Sequence, residues 1–135
     1  MFDLFTDSAR RVIFFARQGV AEIGGREIDS DFLLWGLARE APLLLEEAGA
    51  PDLLDAIAQD RTAADKPPPD DDLPLGRDAH TALIQATQEA KRMGSPLVTP
   101  AHLLLGLLAD HRSAAGKRLS RLGLVAEQVR LLARR

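Results

Sequence analysis

The stretch VTPAHLLLGLL, Val98 to Leu108, repeats the outline of IDSDFLLWGLA, Ile28 to Ala38. Both keep Leu-Leu-x-Gly-Leu and change the residues just in front of it. Sliding residues 9–37 by seventy positions onto 79–107 aligns Ala9 with Ala79, Ala16 with Ala86, Gln18 with Gln88 and Gly24 with Gly94. The same shift aligns Leu33-Leu34 with Leu103-Leu104 and Gly36-Leu37 with Gly106-Leu107, eight identities in 29 gapless positions. A composition of this kind gives about two by chance. Ile13 with Leu83, Ile23 with Met93 and Ile28 with Val98 add conservative pairs. The chain therefore reads as a tandem duplication. Beyond the shared Gly-Leu the copies drift, because Ala48-Gly49 arrives four residues sooner than its counterpart Leu122-Gly123.

Working outward, each copy reads as four helices. TDSARRVIFFARQGVAEIGG offers Thr6 as N-cap, apolar positions Ala9, Val12, Ile13, Ala16, Val20 and Ile23 at helical spacing, and a Gly24-Gly25 stop. Its match runs from about Arg77 to Met93 and stops at Gly94. A second helix starts after Asp29 and after Thr99, where Pro100 suits the first helical position. Leu33, Leu34 and Leu37 face inward. Short third helices are expected over Pro42 to Ala48 and Ser113 to Leu122, and fourth helices from Pro51 to about Ala63 and from Val125 to about Ala133. The expectation is eight helices and no strand.

Between the copies lies DKPPPDDDLP, Asp65 to Pro74. Consecutive prolines end a helix and consecutive aspartates repel, so this segment reads as an extended, solvated connector. Repeat one is thus about 1–64 and repeat two about 75–135. Neither half is long enough for a secure core of its own, so a single pseudo-twofold all-α domain of two four-helix repeats is expected.

Composition narrows function. Seventeen Lys and Arg against twenty Asp and Glu give a formal charge of -3, which lacks the electrostatic footprint of a nucleic-acid binder. Zero Cys removes disulfides, thiolate metal sites and a thiol nucleophile. MFDLFTDSARR is no secretory signal, and no window holds eighteen apolar residues, so a cytoplasmic protein outside the membrane is expected. His80, His102 and His111 form no His-Glu-x-x-His motif, and neither Gly-x-Ser-x-Gly nor opposed acidic pairs occur. The expectation is a non-enzyme without metal or cofactor.

The opening MFDLFTDSARRVIFFARQ, the helix starts after Ile28 and Val98, and the doubled Leu-Leu-x-Gly-Leu resemble the N-terminal double repeat of the Clp-type ring unfoldases ClpA, ClpB and ClpC. The likeness spans nearly the whole chain. It implies an all-helical domain that docks substrate or adaptor proteins, with a Clp ATPase ring as partner in cis or in trans. No Gly-x-x-x-x-Gly-Lys-Ser/Thr phosphate loop is present, since Gly116-Lys117 is followed by Arg118 and lacks the upstream glycine. The chain is therefore not expected to drive unfolding by itself. A free-standing adaptor, decoy or regulator is the alternative. A helical DNA-binding protein, prompted by the locally basic KRLSRLG and RLLARR, is a third reading that the net charge disfavours.

The resemblance also points to residues. ClpC-like members carry Gly-Thr-Glu-His, and many ClpB-like ones Thr-Pro-Glu-His, before the leucines; in Gram-positive ClpC-like members the two glutamates contribute to phosphoarginine pockets. Here the copies read Asp29-Ser30-Asp31-Phe32 and Thr99-Pro100-Ala101-His102. Asp31 keeps a carboxylate that could pair with a guanidinium, and Ala101 does not, so at most one such site is expected. An acidic residue in a first helical turn also has a purely structural use against the helix dipole. In actinobacterial ClpC-like members, cyclic-peptide toxins bind a patch whose matching positions here are Phe2, Leu75, His80 and Ile84. Four of the five phenylalanines lie within the first fifteen residues. Adjacent helical positions diverge by about 100°, so Phe14 and Phe15 cannot both face one core, and at least one is expected to be exposed. Phe15, opposite Gln85 of the other copy, is the aromatic taken as a candidate anchor for partners.

Overall fold

The computed structural model describes residues 2–23, 25–60 and 73–134. Among them are eight helices: α1 (Asp7–Glu22), α2 (Ser30–Glu40), α3 (Pro42–Ala48), α4 (Leu53–Asp60), α5 (Arg77–Arg92), α6 (Pro100–Ala109), α7 (Ala114–Arg121) and α8 (Ala126–Ala133). They fall into two sets of four. Helix α4 starts at Leu53 rather than Pro51 because Asp52 takes a left-handed φ of 61°, which keeps Pro51 and Asp52 in a turn. The expected extension of this helix to Ala63, and the connector from Asp65 to Asp72, lie outside the described residues.

The helix starts follow from local chemistry. The Thr6 side chain accepts a hydrogen bond from the Ala9 N–H at 3.1 Å, and Asp29 accepts one from the Phe32 N–H at 3.0 Å. Each satisfies a backbone donor that the helix itself leaves open. At α6, Pro100 fills the first position and the Thr99 N–H donates to Nδ1 of His102 at 3.0 Å. Buried residues on α1 (Ala9, Val12, Ile13, Ala16, Val20) and α5 (Ala79, Ala82, Leu83, Ala86, Ala90) recur at helical spacing. Those faces pack on α2 and α6 respectively.

The doubled glycine explains how closely they pack. A methyl group on Gly36 would collide with the Val12 carbonyl oxygen, and one on Gly106 with the Ala82 carbonyl oxygen. In each repeat the second helix thus meets the backbone of the first where neither has a side chain to spare. The crossing carries Leu33, Leu34 and Leu37, and Leu103, Leu104 and Leu107, into an apolar core where all six are fully buried. Each contributes about 1.5–3 kcal/mol.

The repeats join by an exchange of short extended segments. Phe5 pairs with Val98 and Leu75 pairs with Ile28, both parallel. The Thr6 N–H donates to the Val98 carbonyl and the Val98 N–H to the Leu4 carbonyl; the Gly76 N–H donates to the Ile28 carbonyl and the Ile28 N–H to the Pro74 carbonyl. Adding seventy to one residue of a pair and removing seventy from the other turns the first seam into the second. Such reciprocity is the signature of a pseudo-twofold axis, and α2 and α6 pack against one another across it. Leu73, at the expected solvated end of the connector, is buried against Ala16, Val20, Ile28 and Phe32. The backbone pairing of Pro74 carries it there.

Candidate protein-docking surface

The outer faces of α1 and α5 are the counterpart surfaces of the two repeats. On α1, Arg10, Phe14, Arg17 and Gln18 are exposed; on α5, Arg77, His80, Ile84 and Gln88 are exposed. Phe14 is 57 % exposed and Ile84, seventy residues on, 42 %. Each first helix therefore presents one large apolar side chain on a polar face, one turn after a basic or imidazole side chain, Arg10 or His80. A single exposed apolar side chain is ordinary on a protein surface; what distinguishes Phe14 and Ile84 is that the two stand at counterpart positions.

The sequence-derived residues distribute around these faces. His80 and Ile84 share the outer stripe of α5, four residues apart. Phe2 is half-buried, edge-on to Phe5 at 5.2 Å, beside the first seam, and its carbonyl accepts hydrogen bonds from Arg10. Leu75 is half-buried in the second seam. Of the adjacent phenylalanines, Phe14 is the exposed one. Phe15 is half-buried, with the Arg39 guanidinium 4.8 Å from its ring centroid and Phe14 edge-on at 5.7 Å. Sequence reasoning singled out Phe15 and passed over Phe14; the match of Phe14 with Ile84 was the signal available. Leu4 and Leu97, also exposed, flank the first seam.

Asp31 is 5 % exposed, in the first turn of α2. Its two carboxylate oxygens accept hydrogen bonds from Nε and Nη2 of Arg118 on α7, both at 3.1 Å. A bidentate grip on a guanidinium is thus formed, but with a guanidinium of the other repeat. A neighbouring tie runs the same way. Asp78 on α5 accepts from the Ser30 N–H at 3.0 Å and the Ser30 hydroxyl at 2.6 Å, and that hydroxyl accepts from the Ala115 N–H at 3.0 Å. At the equivalent positions of the other side stand Ser8, Pro100 and Ala101, which have neither the carboxylates nor, at Pro100, the N–H. Ala101 is buried.

Inside repeat two, Glu89 is buried on α5 and receives the Arg130 side chain of α8 at 2.9 and 3.3 Å. That hydrogen-bonded guanidinium holds the Glu89 carboxyl below its ordinary value against the opposing effect of burial. His102 is fully buried, and burial pushes its imidazole below the ordinary histidine value. Because Nδ1 accepts the Thr99 N–H, the neutral ring carries its proton on Nε2, which has no hydrogen-bond partner among the described residues. No group of three or more His, Asp or Glu among the described residues is arranged to hold a metal, and no described helix is long and apolar enough to cross a membrane.

A pseudo-twofold pair of four-helix repeats, closed by reciprocal extended seams, defines a double-repeat helical domain. Residues 4–122 match the Clp repeat (R) N-terminal domain family, and the chain belongs to that family. Solved structures share the fold. The N-terminal domain of the caseinolytic protease associated chaperone ClpD from Arabidopsis thaliana is 22 % identical with a TM-score of 0.74, covering 99 % of both chains. The Hsp104 N-terminal domain from Candida albicans is 19 % identical with a TM-score of 0.75, covering 94 % of this chain and 87 % of that one. A structure from work on a malarial protein secretion system is 18 % identical with a TM-score of 0.77, covering 96 % and 91 %.

Proposed function

We propose that this domain is a non-catalytic docking module that captures substrate or adaptor proteins for a Clp-type ATP-dependent unfoldase. The observation that carries the reading is the pair Phe14 and Ile84. At counterpart positions where a folded domain alone gains nothing from a large apolar group, both repeats expose one. His80 and Arg10 supply adjacent polar contacts, Phe15 backs Phe14, and Phe2 and Leu75 border the helices at the two seams. Family membership supports the same role. Asp31 is read as a tie between repeats rather than a phosphoarginine receptor, since a ligand guanidinium would have to displace Arg118.

Reduced, fluorescently labelled casein serves as an unfolded-protein probe. Phe14→Ser with Ile84→Ser should weaken its binding at least fivefold while the melting temperature stays within about 2 °C, as expected for exposed positions. Unchanged casein affinity in the double variant would remove the docking role from these faces.

A further inference from the structure

The two repeats differ in charge far more than the near-neutral total indicates. Residues 1–64 hold twelve Asp and Glu against six Lys and Arg, whereas residues 75–135 hold four against ten. The contrast is sharpest between counterpart helices. Glu46, Glu47 and Asp55 lie on α3 and α4, which carry no Lys or Arg; α7 and α8 carry Lys117, Arg118, Arg121 and Arg130 against the single Glu127. Two of those cations are spent inside the fold, Arg118 on Asp31 and Arg130 on Glu89 and Glu127. Lys117 and Arg121 are exposed one turn apart on the outer face of α7, and neither makes an ion pair among the described residues.

Apolar groups stand beside them. Leu122 is 46 % exposed and Val125 52 %, both in the turn from α7 to α8. Val125 also lines a groove of about 310 Å³ at the end of α6 and the start of α8, where Leu105, Leu108 and Leu124 stand beside His111 and the mutually paired Glu89 and Arg130. Unpaired cations next to exposed aliphatic side chains and a groove with a leucine-lined wall match a segment that is itself both acidic and aliphatic.

We propose that the α7–α8 face is a second docking surface, and that its partner is an acidic peptide segment bearing aliphatic side chains. Carboxylates would meet Lys117 and Arg121 while a leucine-sized group enters the groove beside Val125. A nucleic acid fits less well. All six Phe and Trp residues lie at or before Trp35, so the α7–α8 face offers a base no Phe or Trp to stack on, and His111 is the one imidazole beside its groove among the described residues. Phosphates would also leave Leu122 and Val125 uncovered. The proposal does not depend on the α1 and α5 faces, because it uses other helices.

The probe is a fluorescein-labelled synthetic peptide of glutamates with interspersed leucines, followed by anisotropy. Controls are the same peptide with serine for leucine and a single-stranded oligonucleotide of equal charge. Lys117→Glu with Arg121→Glu should lower peptide affinity at least tenfold without shifting the melting temperature, and Val125→Ser at least threefold. Serine for leucine should weaken binding, as should raising salt from about 50 to about 300 mM. Phe14→Ser with Ile84→Ser should leave it unchanged, which separates this surface from the casein-binding reading. Equal affinity in the charge-reversed variant overturns the proposal, as does oligonucleotide binding as tight as the peptide's. Sedimentation showing that the reversal abolishes a self-dimer, with the acidic α3–α4 face of a second copy as the occupant, overturns it as well.

Discussion

The two repeats solve one packing problem with different side chains. At the α1–α2 crossing, Gly19 leaves room for the ring of Trp35, whose atoms would lie 2.9 Å from a Cβ there. At the α5–α6 crossing the same positions hold Glu89 and Leu105, and the carboxylate of Glu89 turns to Arg130 instead. Phe32 in the first turn of α2 is matched by His102, which uses Nδ1 to cap α6. Trp35 with Gly19 and Leu105 with Glu89 are alternative fillings of one site. What stays constant is Gly36 and Gly106, the leucines beside them, and the exchanged seams. Backbone approach is therefore the shared constraint, and side-chain chemistry is free to diverge around it.

The strongest way to break that comparison is to fill the glycines. Gly36→Ala and Gly106→Ala should each cost about 3 kcal/mol, because the obstacle is a carbonyl oxygen rather than a movable side chain. Thermal melts should fall by about 10 °C in both. Tolerance at one site and collapse at the other would show that the crossings are not equivalent.

Next in size is the one-sided tie. Asp31→Ala leaves Arg118 without its buried carboxylate and should cost about 3 kcal/mol by urea denaturation. Arg118→Met in the same chain should recover part of the loss, since no buried charge then stands alone. A double variant less stable than the single one would assign Arg118 a role apart from Asp31.

Glu89 gives repeat two a titrating group at the position where repeat one has Gly19. Its carboxyl is held below the ordinary value of 4.5, so its stabilisation is present above that pH and is lost as pH falls through the lower, folded value. Glu89→Gln should cost about 1–2 kcal/mol at pH 7. The gap to the parent should close as the pH drops below 4.5, and a gap constant down to pH 3 would contradict the Arg130 pairing.

The smallest effect is expected at His102→Phe, which installs the repeat-one residue. Losing the cap costs about 1 kcal/mol, and removing a buried, unpartnered Nε2–H returns a similar amount. Net stability at pH 7 should change by less than about 1 kcal/mol. With its value depressed by burial, the parent imidazole resists protonation, so the parent loses stability as pH falls from 6.5 through the folded value. The Phe variant should lose less over that interval. Equal acid sensitivity in denaturant titrations would place it elsewhere.

Much of this was legible in the sequence. The leucine-glycine pattern, Thr6, Asp29 and Pro100 marked helices because capping and periodicity act over three or four residues. The ties between repeats were not legible: Asp31 meets Arg118 across 87 positions, and Ser30 meets Asp78 across 48. No periodic rule links such pairs, because they depend on where the seams set the repeats. The choice between Phe14 and Phe15 had one sequence cue, the alignment of Phe14 with Ile84, while the cover that Arg39 of α2 lays over Phe15 depends on tertiary packing. The left-handed turn at Asp52 gave no warning, as aspartate there needs no glycine to announce it.

The most direct measurement is a heteronuclear NMR titration of the isotope-labelled chain with unlabelled reduced casein. The docking account predicts shift changes along both outer stripes, Arg10 to Gln18 on α1 and His80 to Gln88 on α5, with the buried leucines of α2 and α6 unmoved. Changes confined to α3 and α4, or no changes at saturating casein, would contradict it.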